Sequence, residues 1–101
     1  MIEIKKGVTY ELDNYFHTNT PRQKIHFVEL RQDGDSWVAE DNGTTLREVL
    51  AVVLDRLNFL EKKSPSIDNS IMLSLTYCLS LLETQRINEN LRDNSKDKFI
   101  L

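Results

Sequence analysis

Hydrophobic positions recur along this chain with two different periods, and the change falls near Gly43. From Thr44 onward Leu46, Val49, Leu50, Val53, Leu54, Leu57 and Leu60 stand at i, i+3, i+4, i+7, i+8, i+11 and i+14, the stripe of an amphipathic helix. Thr45-Leu-Arg-Glu48 reads as a capping box, in which hydroxyl and carboxylate satisfy backbone donors that a helix start leaves unpaired, so the first helix is predicted to begin there. It should end near Lys62-Lys63, cations suited to the negative end of a helix dipole. Ser64-Pro65-Ser66 then breaks the chain before a second helix, capped by Ser66 with Asp68 in its first turn and running from about Ile67 to Leu91. Ile71, Leu75, Cys78, Leu79 and Leu82 form its main stripe, and Met72, Leu73, Tyr77 and Leu81 widen it beyond what one partner helix would cover. That surplus predicts an oligomer.

The front half reads as β. It holds all three glycines, and Lys24-Ile-His-Phe-Val-Glu-Leu-Arg31 is a strand-forming run. Gln32-Asp33-Gly34-Asp35 supplies an Asp-Gly turn before Ser36-Trp-Val-Ala-Glu40, which predicts a hairpin. Ile2 to Lys6 and Val8 to Leu12 read as one strand bent at Gly7, or as two short ones. The polar stretch from Asp13 to Gln23, with Pro21, is predicted to be a long loop. The expected architecture is therefore α+β: a small N-terminal antiparallel β-sheet over 1–43, a C-terminal two-helix hairpin over 44–92 that dimerises through its helices, and a polar tail over 93–101, all within one domain of 101 residues.

Composition narrows the function. Thirteen Lys and Arg against sixteen Asp and Glu leave a net charge of −3, which disfavours non-specific DNA or RNA binding but leaves room for an anionic small molecule held by a few arginines. Neither half is a basic patch, with 5 basic and 8 acidic residues before Thr44 and 8 of each after it. The longest apolar stretch, Ile71 to Leu82, is broken by Ser74, Thr76 and Ser80 and falls short of the roughly 20 residues a membrane span needs. The start has no apolar run of signal-peptide length, and the single Cys78 permits no intrachain disulfide and no thiolate zinc site, so a cytosolic protein without membrane contact is expected.

Catalytic chemistry finds little support. The only histidines are His17 in the loop and His26 in a strand, no nucleophile motif surrounds either, and their spacing is not that of a metal site. A non-enzyme without cofactor or metal is the expected class. What remains is a set of side chains able to grip a flat anionic molecule: Phe59, Asn69 and Arg86, with Arg31 and Trp37 in the hairpin. Each has a plainer role as well: Phe59 as a core residue, Asn69 as part of a helix start, Arg86 as a partner of Glu83 and Glu89, and Trp37 as a packing residue. Pattern alone leaves both readings open.

The segment Thr45 to Leu60, with Pro65-Ser-Ile-Asp-Asn69 and Leu81-Leu-Glu-Thr-Gln-Arg86, resembles a helical hairpin known from phages and shared by anti-CBASS sponges and the first-described Thoeris anti-defence family. The β-rich front half resembles the Thoeris type. Such proteins bind cyclic ADP-ribose isomers made in the infected bacterial cell and keep them from the effector without cleaving them. The resemblance implies that Phe59 and Arg86 sandwich adenine, that Asn69 contacts ribose or phosphate, and that Arg31 is a phosphate ligand, with Trp37 a candidate pocket wall. It further implies a homodimer, with a hexamer of three dimers as the larger alternative and cyclic di- or trinucleotides as ligands of a second site. A protein–protein inhibitor that uses the apolar helix face is the competing reading.

Spacing bears on this independently. Asn69 and Arg86 lie 17 positions apart on one helix, about 25 Å at 1.5 Å per residue, so one chain cannot close both around one nucleotide. A second copy with an antiparallel helix supplies the missing arginine, and two-fold symmetry makes two equal sites.

Overall fold

A computed structural model describes residues 1–17 and 19–93, and the chain divides into two compact units, Met1–Thr44 and Thr45–Leu101. The tail predicted over 93–101 lies, past Asp93, outside the described residues.

The first unit carries two small antiparallel sheets. Strands β1 (Ile2–Lys5), β2 (Thr9–Glu11) and β3 (Lys24–His26) form one, in the order β1-β2-β3. The first two are separate strands joined at Gly7, whose φ of 72° suits a residue without a side chain. The stretch 13–23 is a loop, and the Leu12 N–H donates to the Gln23 carbonyl across its base at 2.8 Å. Strands β4 (Glu29–Asp33) and β5 (Ser36–Asp41) form the second sheet, a hairpin turning at Gly34 with φ 62°.

The strand expected over Lys24–Arg31 is therefore two, one in each sheet. Between them the Phe27 N–H continues the β2–β3 register by one pair, donating to the Val8 carbonyl at 2.8 Å, and the Val28 N–H leaves the ladder for the Thr44 carbonyl at 2.9 Å. Strand propensity marks the run but not its partners. The Thr44 N–H returns a bond to the His26 carbonyl at 2.8 Å, and Gly43 permits this approach, because a Cβ there would sit 2.5 Å from that same oxygen. Lys5 pairs with Glu29 at 2.8 Å and so joins β1 to β4.

The second unit is the predicted hairpin of helices α1 (Leu46–Lys63) and α2 (Ile67–Asp93). Thr45 caps α1, accepting from the Glu48 N–H at 3.3 Å, and Lys62 and Lys63 close it. Ser66 caps α2 through the Asn69 N–H at 3.0 Å, and Glu61 accepts from the Ser66 N–H (3.3 Å) and the Ser70 hydroxyl (3.0 Å), binding the turn to the end of α1. Helix α2 continues two residues past the expected Leu91.

The face of α2 that is taken out of solvent differs from the one its apolar stripe predicts. Asn69, Leu73, Thr76, Ser80, Glu83 and Ile87, spaced i, i+4, i+7, i+11, i+14 and i+18, are half-buried or buried. Only two of these six are hydrophobic. Ile71 (52% exposed), Leu75 (61%), Leu79 (54%) and Leu82 (61%), with Met72 and Cys78, lie outside. On α1 five of the seven stripe positions are covered, Leu57 buried and Val49, Leu50, Leu54 and Leu60 half-buried, while Leu46 and Val53 are exposed. No described helix is long and apolar enough to cross a membrane.

Candidate functional site

Phe59 follows the buried Leu57 by two positions, which turns it roughly 200° around α1, onto the face opposite the helical seam. It is 47% exposed rather than part of the core. One turn before it Arg56 brings its guanidinium carbon 5.4 Å from the ring centroid, and one turn after it Lys63 brings its ammonium to 5.2 Å. Phe59 and Arg56 line an open groove of about 550 Å³ with Ala51, Val52 and Asp55. An exposed aromatic ring between two cations offers both stacking and cation–π attraction. Arg56 and Lys63 were not among the residues singled out from sequence, although their i−3 and i+4 spacing to Phe59 is a legible signal.

Asn69 is half-buried and serves the turn. Its side-chain amide donates to the Ser64 carbonyl at 3.3 Å while its own N–H is capped by Ser66. The turn joins the elements that carry Phe59 and Asn69, but Asn69 is not among the groove's lining residues. A second concavity, about 560 Å³, opens at this end of the hairpin between Glu61, Pro65, Ser66, Ile67, Ser70 and Ile71.

Arg86 is held by Glu83 one turn earlier. Its Nε donates to Glu83 Oε2 at 3.0 Å and its Nη2 to Oε1, a two-point bond that matches the guanidinium fork to the carboxylate. Glu83 is 6% exposed, the one buried charge among the described residues, and its hydrogen bond holds the Arg86 pKa above the ordinary arginine value. Glu89, the other expected partner of Arg86, accepts instead from Gln85 at 3.3 Å.

Arg31 and Trp37 belong to the first unit. Arg31 stands opposite Val38 and Gln32 opposite Trp37 in the β4–β5 register. Directly opposed residues share a face and successive ones alternate, so Arg31 and Trp37 point to opposite faces of the hairpin and cannot line one pocket from it. Arg31 is exposed and Trp37 half-buried.

His26 finds partners that spacing gave no sign of. His26 stands opposite Thr9 across β2 and β3, its Nδ1 2.6 Å from the Thr9 hydroxyl and its Nε2 2.8 Å from Asp41. A neutral ring that donates from Nε2 to Asp41 accepts the hydroxyl proton at Nδ1, and a protonated ring donates to both. Hydroxyl, imidazole and carboxylate stand in the order of a hydrolytic triad. Here they bind β2 and β3 to the end of β5. His17 lines a polar cavity of about 270 Å³ in the 13–22 loop with Asp13, Asn14, Phe16, Asn19, Thr20 and Arg22. Among the described residues no three His, Cys, Asp or Glu side chains gather into a metal-binding group.

No family model matches this chain, and no curated protein and no solved structure matches it either.

Proposed function

We propose that this chain sequesters a nucleotide of the cyclic ADP-ribose type without cleaving it, in a site completed by a second copy, and thereby blocks a Thoeris effector in an infected bacterial cell. The observation that carries the reading is the placement of Phe59: exposed on the outer face of α1, flanked by Arg56 and Lys63, and opening on a groove of about 550 Å³. That volume falls in the roughly 300–1,000 Å³ range of small-molecule sites. A purine stacks on the ring by displacing one flanking cation, and the displaced cation remains within reach of the ligand's phosphates. Arg86, about 25 Å along α2 from Asn69, enters from the other copy. Arg31 and Trp37, on opposite faces of their hairpin, do not both contact one ligand.

The test is retention. Purified protein is mixed with cyclic ADP-ribose isomers, freed of unbound ligand by filtration and heat-denatured, and the released nucleotide is analysed. Intact nucleotide supports sequestration, altered nucleotide points to a hydrolase or lyase, and an empty filtrate overturns both. Cyclic di- and trinucleotides form a second arm. Phe59→Ala should abolish retention while costing about 1 kcal/mol of stability or less, as exposed positions do, whereas truncating a core Phe costs about 3–5 kcal/mol.

A further inference from the structure

Groups of opposite sign flank Phe59 at equal spacing, Asp55 at i−4 and Lys63 at i+4. Each step of four residues advances about 6 Å along α1 and turns only about 40° around it, so carboxylate, ring and ammonium follow one another along its outer face. All three residues are exposed. Asp55 lines the groove with Phe59, and among the described residues it makes no hydrogen bond or ion pair, which leaves both its oxygens open to a ligand. A carboxylate accepts hydrogen bonds and donates none, so what it selects on the rim of a stacked base is a donor.

We propose that Asp55 reads the base of the bound nucleotide: its carboxylate accepts from the exocyclic amine of an adenine stacked on Phe59, which makes the groove selective for adenine over hypoxanthine. The assignment rests on the sequestering function proposed above, and it uses α1 of a single chain.

Charge sets the direction in which the base lies. The amine and the sugar of an adenosine phosphate leave from opposite ends of the purine, so phosphates drawn to one end of the groove send the amine to the other. Beyond Phe59 stand the exposed Lys62 and Lys63, and Glu61, the acid of that turn, is occupied in accepting from Ser66 and Ser70. Before Phe59, Arg56 stands next to Asp55 and their charges offset each other. The phosphates therefore go to the lysine end. Lys63 is the cation that leaves the ring to meet them, and Arg56 keeps its place 5.4 Å from the centroid. The amine then comes level with Asp55, one helical turn from Phe59, a step of about 6 Å that a purine spans along its long axis.

Hypoxanthine carries a carbonyl oxygen where adenine carries the amine. Facing Asp55, that oxygen sets acceptor against acceptor, and the hydrogen bond is lost to repulsion. A hydrogen bond to a charged group is worth about ten- to a hundredfold in affinity. Asp55→Asn preserves the shape and removes the discrimination, because a carboxamide can turn its oxygen to the amine or its N–H to the carbonyl.

The experiment compares the affinity of the full chain for cyclic ADP-ribose isomers joined through their two riboses, whose adenine keeps its amine, with that for their hypoxanthine counterparts, by equilibrium dialysis. The unmodified protein should hold the adenine form about ten- to a hundredfold more tightly. Asp55→Asn should bring the two forms to near parity, and Lys63→Ala should weaken both alike while keeping the preference. Circular dichroism verifies that each variant is helical. Equal affinity of the unmodified protein for the two bases, or a preference that survives Asp55→Asn, would overturn the role of Asp55 and leave sequestration standing. A Lys63→Ala variant that loses the preference would overturn the orientation. If neither form is bound, the sequestering function itself falls, and the role of Asp55 with it.

Discussion

Glu83 and Arg86 show how one residue can carry two duties. A carboxylate as buried as Glu83 is costly unless its partner stays, and the two-point bond from Arg86 offsets that cost. Arg86→Ala, the obvious variant for testing a ligand contact, therefore also strands a buried charge. We expect it to destabilise the helical unit by about 2–3 kcal/mol, less than a fully enclosed pair would lose because Arg86 is itself 36% exposed. Thermal melts followed by circular dichroism measure this. Adding Glu83→Gln should restore most of the lost stability, since the amide carries no charge to compensate. If Arg86 also binds nucleotide, that double variant melts close to the parent and still fails to retain ligand. A double variant that melts as low as Arg86→Ala alone would show that the pair is not what stabilises this turn of α2.

At the scale of elements, what could be read from sequence were the boundaries, and what could not was which face goes where. Thr45 and the Lys62 to Ser66 segment delimit α1, and Ser66 starts α2, because caps and helix breakers act through bonds made within a few residues. The seam side of α2 was hidden, because periodicity counts apolar residues and this seam is built largely from Asn69, Thr76, Ser80 and Glu83. The exposed apolar surplus was legible as an oligomer signal, and so was Phe59 as a candidate, but its flanking cations needed the helix built. The split of Lys24–Arg31 was illegible for a different reason. It depends on Thr44, a residue distant in sequence whose carbonyl receives the Val28 N–H. Gly43 is the element-level device that allows this crossing. Gly43→Ala would force a Cβ to within 2.5 Å of the His26 carbonyl and 2.6 Å of the Phe27 carbonyl carbon, backbone atoms that cannot swing aside. We expect a loss of about 1–3 kcal/mol in the first unit, as for other overpacked sites, read from urea denaturation. An unchanged midpoint would mean that the β3 to β4 crossing is loose in solution.

For the molecule as a whole, the decisive quantity is how little one chain buries. Among described hydrophobic residues only Leu57 and Ile87 reach 9% exposure, and no side chain is fully enclosed. A small unit stabilised so thinly gains in proportion from anything that binds its folded form alone. The second copy that the sequestering proposal requires binds only folded hairpins, since the exposed apolar stripe of Ile71, Leu75, Cys78 and Leu82 exists only on a helix. Mass action then makes melting depend on concentration: a hundredfold increase above the dissociation constant adds about 2.7 kcal/mol, on the order of 10 °C for a chain of this size. The helical signal should therefore melt later as protein is added. Leu75→Glu, which puts a charge in the middle of that stripe, should remove that dependence and leave the melt at the dilute-solution value. Because Leu75 is 61% exposed within one chain, the substitution costs a lone hairpin almost nothing. A concentration-independent melt in the unmodified protein, or a Leu75→Glu variant that keeps the dependence, would show that this stripe is not what a second copy covers.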